Sequence, residues 1–382
     1  MFEALNVPFS VNWSLGGVLP TVELVNVSKR FGRIIAANNV NLRIEDGEYV
    51  SVVGPSGCGK TTTLRIIAGL VKPDEGKVLI DDVDVSNVPP EERGIGFVFQ
   101  NYALFPHMTV WENVTYGPWV RGWDEFKINE VAREMLNLVN LSGREDAYPK
   151  ELSGGMQQRV ALSRALATET RLLLLDEPLG ALDAKIRVEL RREIRRLVKD
   201  LEVTAIHVTH DTEEAMMVSD RIIVMRRGRV EQAGSPKDIY LKPKTLFVAG
   251  FVGEMNFFEG FVIEKSRDIM TVKLEGSRDR IVVKDENSGF RKGSRVVVAV
   301  RPENITLGSV EEGSPQGVIE DALFLGSIVK VTVLLANGVR VTTYASPYSS
   351  VKVGDSVSIY FDPSDCNLFA HPGVPLTEAL RG

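Results

Sequence analysis

Short, wholly apolar runs alternate with stretches of helical spacing along roughly the first 250 residues. VELVNV (22–27), VNLRI (40–44) and EYVSVVG (48–54) read as strands, and a helix is expected over 60–70, ended by Gly69 and Pro73. VLIDDVDV (78–85), GIGFVFQ (94–100), RLLLLDEP (171–178), VTAIHVTH (203–210) and DRIIVMRRGRV (220–230) are strand-like again. Residues 102–165 differ: helical periodicity dominates, as in INEVAREMLNLVNL (128–141). Apolar strands separated by helices predict a mostly parallel sheet buried on both faces. The helix expected over 184–201 places Ile186, Leu190, Ile194, Leu197 and Leu201 on one stripe. Its arginines then form a solvated face and need no nucleic acid to explain them.

Beyond residue 250 the helical signal fades into short β-rich runs, and one run recurs. Gly293, Val296, Val298, Val300 and Pro302 are echoed by Gly354, Val357, Ile359, Phe361 and Pro363, 61 residues on. A pair of related β units packed as one small barrel-like module would give this pattern. The expected organisation is an extension over 1–21, an α/β domain over 22–250 with a helical subdomain near 101–165, and an all-β domain over 251–382.

Composition narrows the classes. The net charge of −6 argues against wholesale capture by nucleic acid, so any polyanion must meet a built local site. The two cysteines, Cys58 and Cys366, do not make a disulfide framework, and a reducing compartment fits them. No run reaches the roughly 18 apolar residues of a membrane helix, and the first twenty residues lack the basic and apolar regions of a signal peptide. A membrane role would need a partner that supplies the span.

The chemistry centres on Gly54-Pro55-Ser56-Gly57-Cys58-Gly59-Lys60-Thr61, followed by Thr62. This phosphate-loop pattern leaves a strand and opens a helix, the context it requires. Its glycines let several N–H groups converge on phosphate oxygens, and the helix N-terminus adds its positive dipole end. Lys60 can neutralise phosphate charge and Thr61 can offer a hydroxyl to Mg²⁺. Downstream, the apolar run Leu172–Leu175 ends in Asp176, able to hold Mg²⁺ through water, and Glu177, able to accept a proton from attacking water. Ser153-Gly154-Gly155 at a helix start is either a plain N-cap or a second phosphate-facing surface.

Lined up, the phosphate loop, Gln100, LSGG (152–155), LLLLDE (172–177), GALD (180–183) and His210 resemble the ATP-binding cassette ATPases. The resemblance implies an α/β cassette of the phosphate-loop class, with ATP and Mg²⁺ as cofactors. It implies that Gln100 senses Mg²⁺ and the attacking water, that His210 contacts the γ-phosphate, and that Asp183 sits at a dimer seam. Phe31 matches the aromatic that stacks on adenine. Met156 departs from the family, whose signature ordinarily carries glutamine there, and puts one side-chain contact to nucleotide in doubt. His207, on the same strand as His210, matches no role and reads as core.

The resemblance further implies a homodimer, each Ser153 helix start closing over the other copy's nucleotide. VRPENI (300–305) and the β repeat resemble a TOBE domain, found in ATPases of sugar-, polyamine-, ferric-iron- and sulfate-type importers. YALFPHMT (102–109) matches the segment that receives a membrane permease subunit. The expected role is therefore the energising subunit of an importer at the cytoplasmic face of the membrane, served indirectly by a solute-binding protein. A soluble cassette acting on nucleic acid would carry tandem cassettes or a long coiled-coil insertion, and this sequence has neither. A third reading gives the β domain a regulatory ligand alongside transport.

Overall fold

The computed structural model describes residues 19–179, 184–284, 289–311 and 314–381. Two compact units divide between Ile239 and Tyr240. The division falls before the sequence boundary at 250 because the helix Leu246–Phe251 belongs to the second unit. Its Leu246 and Ala249 pack on Val297, Ala299 and Phe369 of a β-sheet.

The first unit carries a six-stranded sheet in the order Arg229–Gly234, Arg221–Arg226, Tyr49–Val53, Thr204–Val208, Leu172–Asp176, Ile95–Val98. All neighbours are parallel except the first hairpin. The strands Tyr49–Val53, Leu172–Asp176 and Thr204–Val208 are buried at every residue, which is why they lack polar alternation. Alternate side chains divide between two cores. Leu172 and Leu174 join Ile66 and Ile67 of the phosphate-loop helix on one face, while Leu173 and Leu175 join Val160, Leu166 and Ile194 on the other. A separate antiparallel sheet orders Ile34–Ile44, Val22–Phe31, Glu75–Ile80 and Val83–Asp84.

Two expected single strands are hairpins. The 78–85 run turns at Asp81 and Asp82 and the 220–230 run at Arg227 and Gly228, all four with φ between 49° and 77°. Two-residue hairpin turns demand positive φ at both centres, and neither Asp-Asp nor Arg-Gly is the strongest marker of one. The helix expected over 128–141 lies at Glu125–Leu138, started by the Asp124 carboxylate, which accepts from the Lys127 N–H. The Ala184–Asp200 helix buries Leu190, Ile194 and Leu197, with Leu201 just beyond its end. The side chain of Ile186 lies outside the described residues. Its cations pair within the unit: Arg191 with Asp211, and Arg195 and Lys199 with Asp220.

The second unit explains the 61-residue echo. One five-stranded antiparallel sheet orders Arg280–Lys284, Ile269–Leu274, Asn256–Ser266, Arg295–Val300 and Cys366–Ala370. The other orders Arg340–Ala345, Val329–Leu335, Gln316–Phe324, Ser356–Tyr360 and Thr306–Gly308. In each half the fourth strand ends in a short 3₁₀ turn, Pro302–Asn304 or Pro363–Asp365. The next strand then crosses to the other half's sheet. That reciprocal exchange packs both halves around one core containing Val296, Val298, Val300, Val331, Val333 and Ile359.

Candidate nucleotide site

The phosphate loop begins where the buried strand Tyr49–Val53 ends and closes on Gly59, the N-cap of the helix Lys60–Ile67. Gly59 takes φ 107°, and a Cβ there would lie 2.0 Å from the carbonyl oxygen of Ala36. A Cβ on Gly54 would lie 2.3 Å from the Met225 carbonyl oxygen and 2.6 Å from Cys58 Sγ. Both contacts are far inside van der Waals range, so side chains are excluded where the backbone must curl. Gly228, in the turn after Met225, donates its N–H to the Cys58 carbonyl at 2.8 Å and fixes the loop from outside. Within the loop, Lys60 is buried and its Nζ donates to the Gly54 and Pro55 carbonyls at 2.7 and 3.0 Å. Burial pushes the Cys58 thiol up despite the neighbouring Lys60, so it stays protonated packing.

Thr61 Oγ1 donates to Asp176 Oδ1 at 3.0 Å, joining the first helical turn to the end of Leu172–Asp176. Burial raises the Asp176 carboxyl pKa, opposed by Thr61 and by the Arg65 guanidinium 3.7 Å away. One residue later the chain reverses: Glu177 has φ 45°, and its N–H donates to the Val208 carbonyl at 2.9 Å. The reversal sends the two consecutive carboxylates to different neighbours. Glu177 Oε2 accepts from Gln100 Nε2 at 2.9 Å, and His210 Nδ1 stands 3.5 Å from the same oxygen. Gln100, Glu177 and His210 come from three separate strand ends and converge on one atom. A hydroxyl, a metal-competent carboxylate, a lysine and a base flanked by an amide and an imidazole can act on a phosphoanhydride and a water.

Ser153 does not join this cluster within one chain. It caps the helix Gly154–Leu166, its hydroxyl accepting from the Met156 N–H at 3.4 Å. Met156 itself is partly buried against the core instead of pointing outward. Phe31 is half exposed at the end of Val22–Phe31, with Lys29 Nζ 5.5 Å from its ring centroid. Asp183 lies outside the described residues.

Comparison with known proteins decides the lineage. The ABC transporter family model matches residues 37–180, and the TOBE domain model matches residues 298–369. The chain is 46% identical to the spermidine/putrescine import ATP-binding protein PotA of Chromobacterium violaceum, over 84% of this chain and 90% of the relative. It is 42% identical to the Fe(3+) ions import ATP-binding protein FbpC of Brucella abortus, over 89% of this chain and 95% of the relative. The chain belongs to the importer-type ABC transporter ATPases. Among solved structures, a dimeric ATP-binding cassette in a post-hydrolysis state bound to ADP and Pi matches with a TM-score of 0.51 at 38% identity, covering 56% of this chain and 98% of that one.

Around this ABC site the structure bears out the reading of His207 and adds Glu214 and Asn113, which motif spacing does not reveal. His207 is core: it is buried, with Tyr49 Oη 3.2 Å from its Nδ1 and Glu214 Oε1 3.5 Å from its Nε2. Burial holds its pKa below the ordinary value, so the ring is neutral at pH 7. Glu214 also accepts from Thr209 Oγ1 at 2.7 Å, which ties the pair to the residue before His210. In the helical region, the fully buried Asn113 staples the loop after Gln100. Its Oδ1 accepts from the Phe105 N–H at 2.9 Å, and its Nδ2 reaches the Phe105, Met108 and Thr109 carbonyls.

Proposed function

We propose that this ABC ATPase hydrolyses Mg·ATP as a homodimer on the cytoplasmic face of a membrane, driving a permease that imports a small cationic solute, with polyamine the first candidate. The observation that carries the reading is the convergence of Gln100 and His210 on Glu177 Oε2 beside the Thr61–Asp176 pair.

The residues fit the ligands the family uses. A curled backbone with no room for Cβ atoms at Gly54 and Gly59 suits a phosphate chain. Among the described residues no cluster of three or more His, Cys, Asp or Glu could hold a metal unaided. One hydroxyl and one carboxylate suit Mg²⁺, which takes its other oxygens from phosphate and water. When bound, Mg²⁺ neutralises charge developing on the β- and γ-phosphate oxygens. Lys60, now held by the Gly54 and Pro55 carbonyls, would turn to phosphate oxygens, Thr61 and Asp176 would hold the metal, and Phe31 would offer its ring to adenine. Glu177 takes the proton of the attacking water, with Gln100 and His210 keeping its carboxylate in place. Ser153, Gly154 and Gly155 of one copy would close on the nucleotide of the other, at the dimer seam to which the family resemblance assigns Asp183.

The membrane contact is supported by the helical region. Tyr116, Trp119, Val120 and Phe126 are exposed there, and Tyr116 joins the half-buried Phe105 to Trp119 in one aromatic row. Such a grouping of apolar side chains suits a partner surface. No helix among the described residues is long and apolar enough to cross a membrane, so the permease must supply the span. The cargo reading is supported by the relatives named for spermidine/putrescine and Fe(3+) import. Uptake of labelled spermidine and of ferric iron is measured in cells with and without this chain. Loss of ATP-dependent spermidine uptake on deletion sustains the proposal, loss of iron uptake alone reassigns the cargo, and no change in either refutes import of this class.

A further inference from the structure

One helix connects the signature to the segment that follows Gln100. Gly154–Leu166 is a rod of about 20 Å at 1.5 Å per residue. Ser153 caps its start, and three turns later Arg164 leaves it for the 102–105 loop. Arg164 Nη1 donates to the Ala103 carbonyl at 2.9 Å and Nη2 to the Tyr102 carbonyl at 3.1 Å. The guanidinium carbon stands 5.2 Å from the centroid of the Phe105 ring.

The two carbonyls belong to an uncommon backbone. Tyr102 and Ala103 are consecutive L-residues at φ 62° and 45°, and neither is Gly, Asn or Asp. Such a conformation persists only where its surroundings over-determine it. Here the Tyr102 ring is buried in the core on one side, and the planar fork of Arg164 grips both carbonyls on the other. Phe105 continues outward: its ring lies 4.7 Å from Tyr116, which lies 6.1 Å from the exposed Trp119. Arg164 is therefore the inner end of an aromatic row that reaches solvent.

We infer that Arg164 is a coupling residue, locking the left-handed Tyr102–Ala103 backbone and the Phe105 ring to the signature helix so that helix and docking surface move as one body. The inference rests on the importer reading above, since it assumes a permease on the aromatic surface and a nucleotide at Ser153. Lysine keeps the charge but, as a compact charge on a flexible stem, lacks the rigid planar fork whose two separate nitrogens fix both carbonyls in one geometry.

The test compares the tagged chain purified alone with the assembly that co-purifies from its own membranes. Arg164→Lys is expected to leave the ATPase rate of the free chain within about two-fold while changing the assembled-to-free rate ratio at least about five-fold, the lower end of ordinary coupling. Adding Ala103→Gly, which meets φ 45° without a Cβ penalty, is expected to recover part of that ratio. Equal losses in both preparations, or an unchanged ratio, would overturn the inference. Should Arg164→Lys not fold, recovery of folded protein by the added glycine sustains the clamp, and continued failure refutes it. Uptake of labelled spermidine by the wild-type assembly reads the importer proposal separately, because it does not depend on Arg164 being altered.

Discussion

Replacing Glu177 by glutamine is the sharpest perturbation of the proposed chemistry, because the geometry says what should survive. Glu177 Oε2 is already taken up by Gln100 Nε2 at 2.9 Å and faces His210 Nδ1 at 3.5 Å. A glutamine can keep its oxygen toward Gln100, so the side chain stays where it is. Its amide nitrogen then stands where Oε1 stood, donating at the position from which a carboxylate would accept the proton of water. Loss of a general base costs about 10²–10⁴ in rate, which corresponds to about 2.7–5.4 kcal/mol of barrier at 1.36 kcal/mol per decade. Nucleotide affinity should stay within about three-fold, since Lys60 and the loop amides are untouched and a three-fold change is under 1 kcal/mol. Phosphate release gives the rate, calorimetric titration with Mg·ATP gives the affinity, and light scattering gives the mass. The expected protein binds, scarcely turns over and accumulates as a dimer in Mg·ATP. Turnover within ten-fold of wild type would refute the assignment of the base, and a protein that stays monomeric would refute closure across two copies.

Lys60→Ala removes a buried cation held by two carbonyls and should weaken ATP binding at least about ten-fold, as charge-assisted bonds contribute about 1.5–3 kcal/mol each; unchanged affinity by titration would count against the phosphate loop. Asp176→Asn keeps the bond from Thr61 but removes a carboxylate whose pKa is raised by burial. The folded state binds that proton more tightly, so the carboxylate's burial costs nothing below the unfolded value near 3.9 and progressively more as pH rises through the higher folded value. The nucleotide-free variant should therefore melt higher than wild type at pH 7, the gain vanishing below about pH 4; a lower melting temperature at pH 7 would refute it. Asn113→Ala strips the buried staple from the 105–109 loop and should destabilise the chain by about 2–4 kcal/mol in urea melts, with weaker retention of membrane partners; a change under about 0.5 kcal/mol would mean the loop is held elsewhere.

The nucleotide side of the site was legible because its information is local. Glycine spacing after an apolar strand encodes the loop's curl, and an apolar run ending in Asp176-Glu177 encodes a buried strand with carboxylates at its tip. What stayed hidden is long-range. Arg164 and Asn113 act on backbone carbonyls, and the residues Arg164 grips lie 61 and 62 positions away. Arg65 reaches Asp176 only because the phosphate-loop helix and the Leu172–Asp176 strand end side by side. The Met225 carbonyl and the Gly228 N–H shape the loop from about 170 residues away, through backbone contacts that the phosphate-loop motif does not announce. In the second unit the echo was visible but the strand exchange was not, because Thr306–Gly308 is too short to carry a period.

The single residue reversal at Glu177 explains how adjacent carboxylates can serve opposite tasks. Had the strand continued, alternation would have sent Asp176 and Glu177 to opposite faces of the sheet, with Glu177 buried away from the phosphate loop. Had the chain entered a helix there, both would have crowded the same end, and mutual repulsion would have raised one pKa. The left-handed step, held by the Glu177 N–H to Val208 bond, avoids the first and limits the second, so that burial outweighs the Glu177 charge in raising the Asp176 pKa. It leaves Asp176 in the buried junction with Thr61 and brings Glu177 into the gap between Gln100 and His210. The backbone strain is small beside the barrier at stake, about 1–3 kcal/mol for a non-glycine residue in this region. Its result is that the proposed metal-holding carboxylate and the proposed base are held apart by geometry, with Gln100, which donates to Glu177, just ahead of the segment that Arg164 grips.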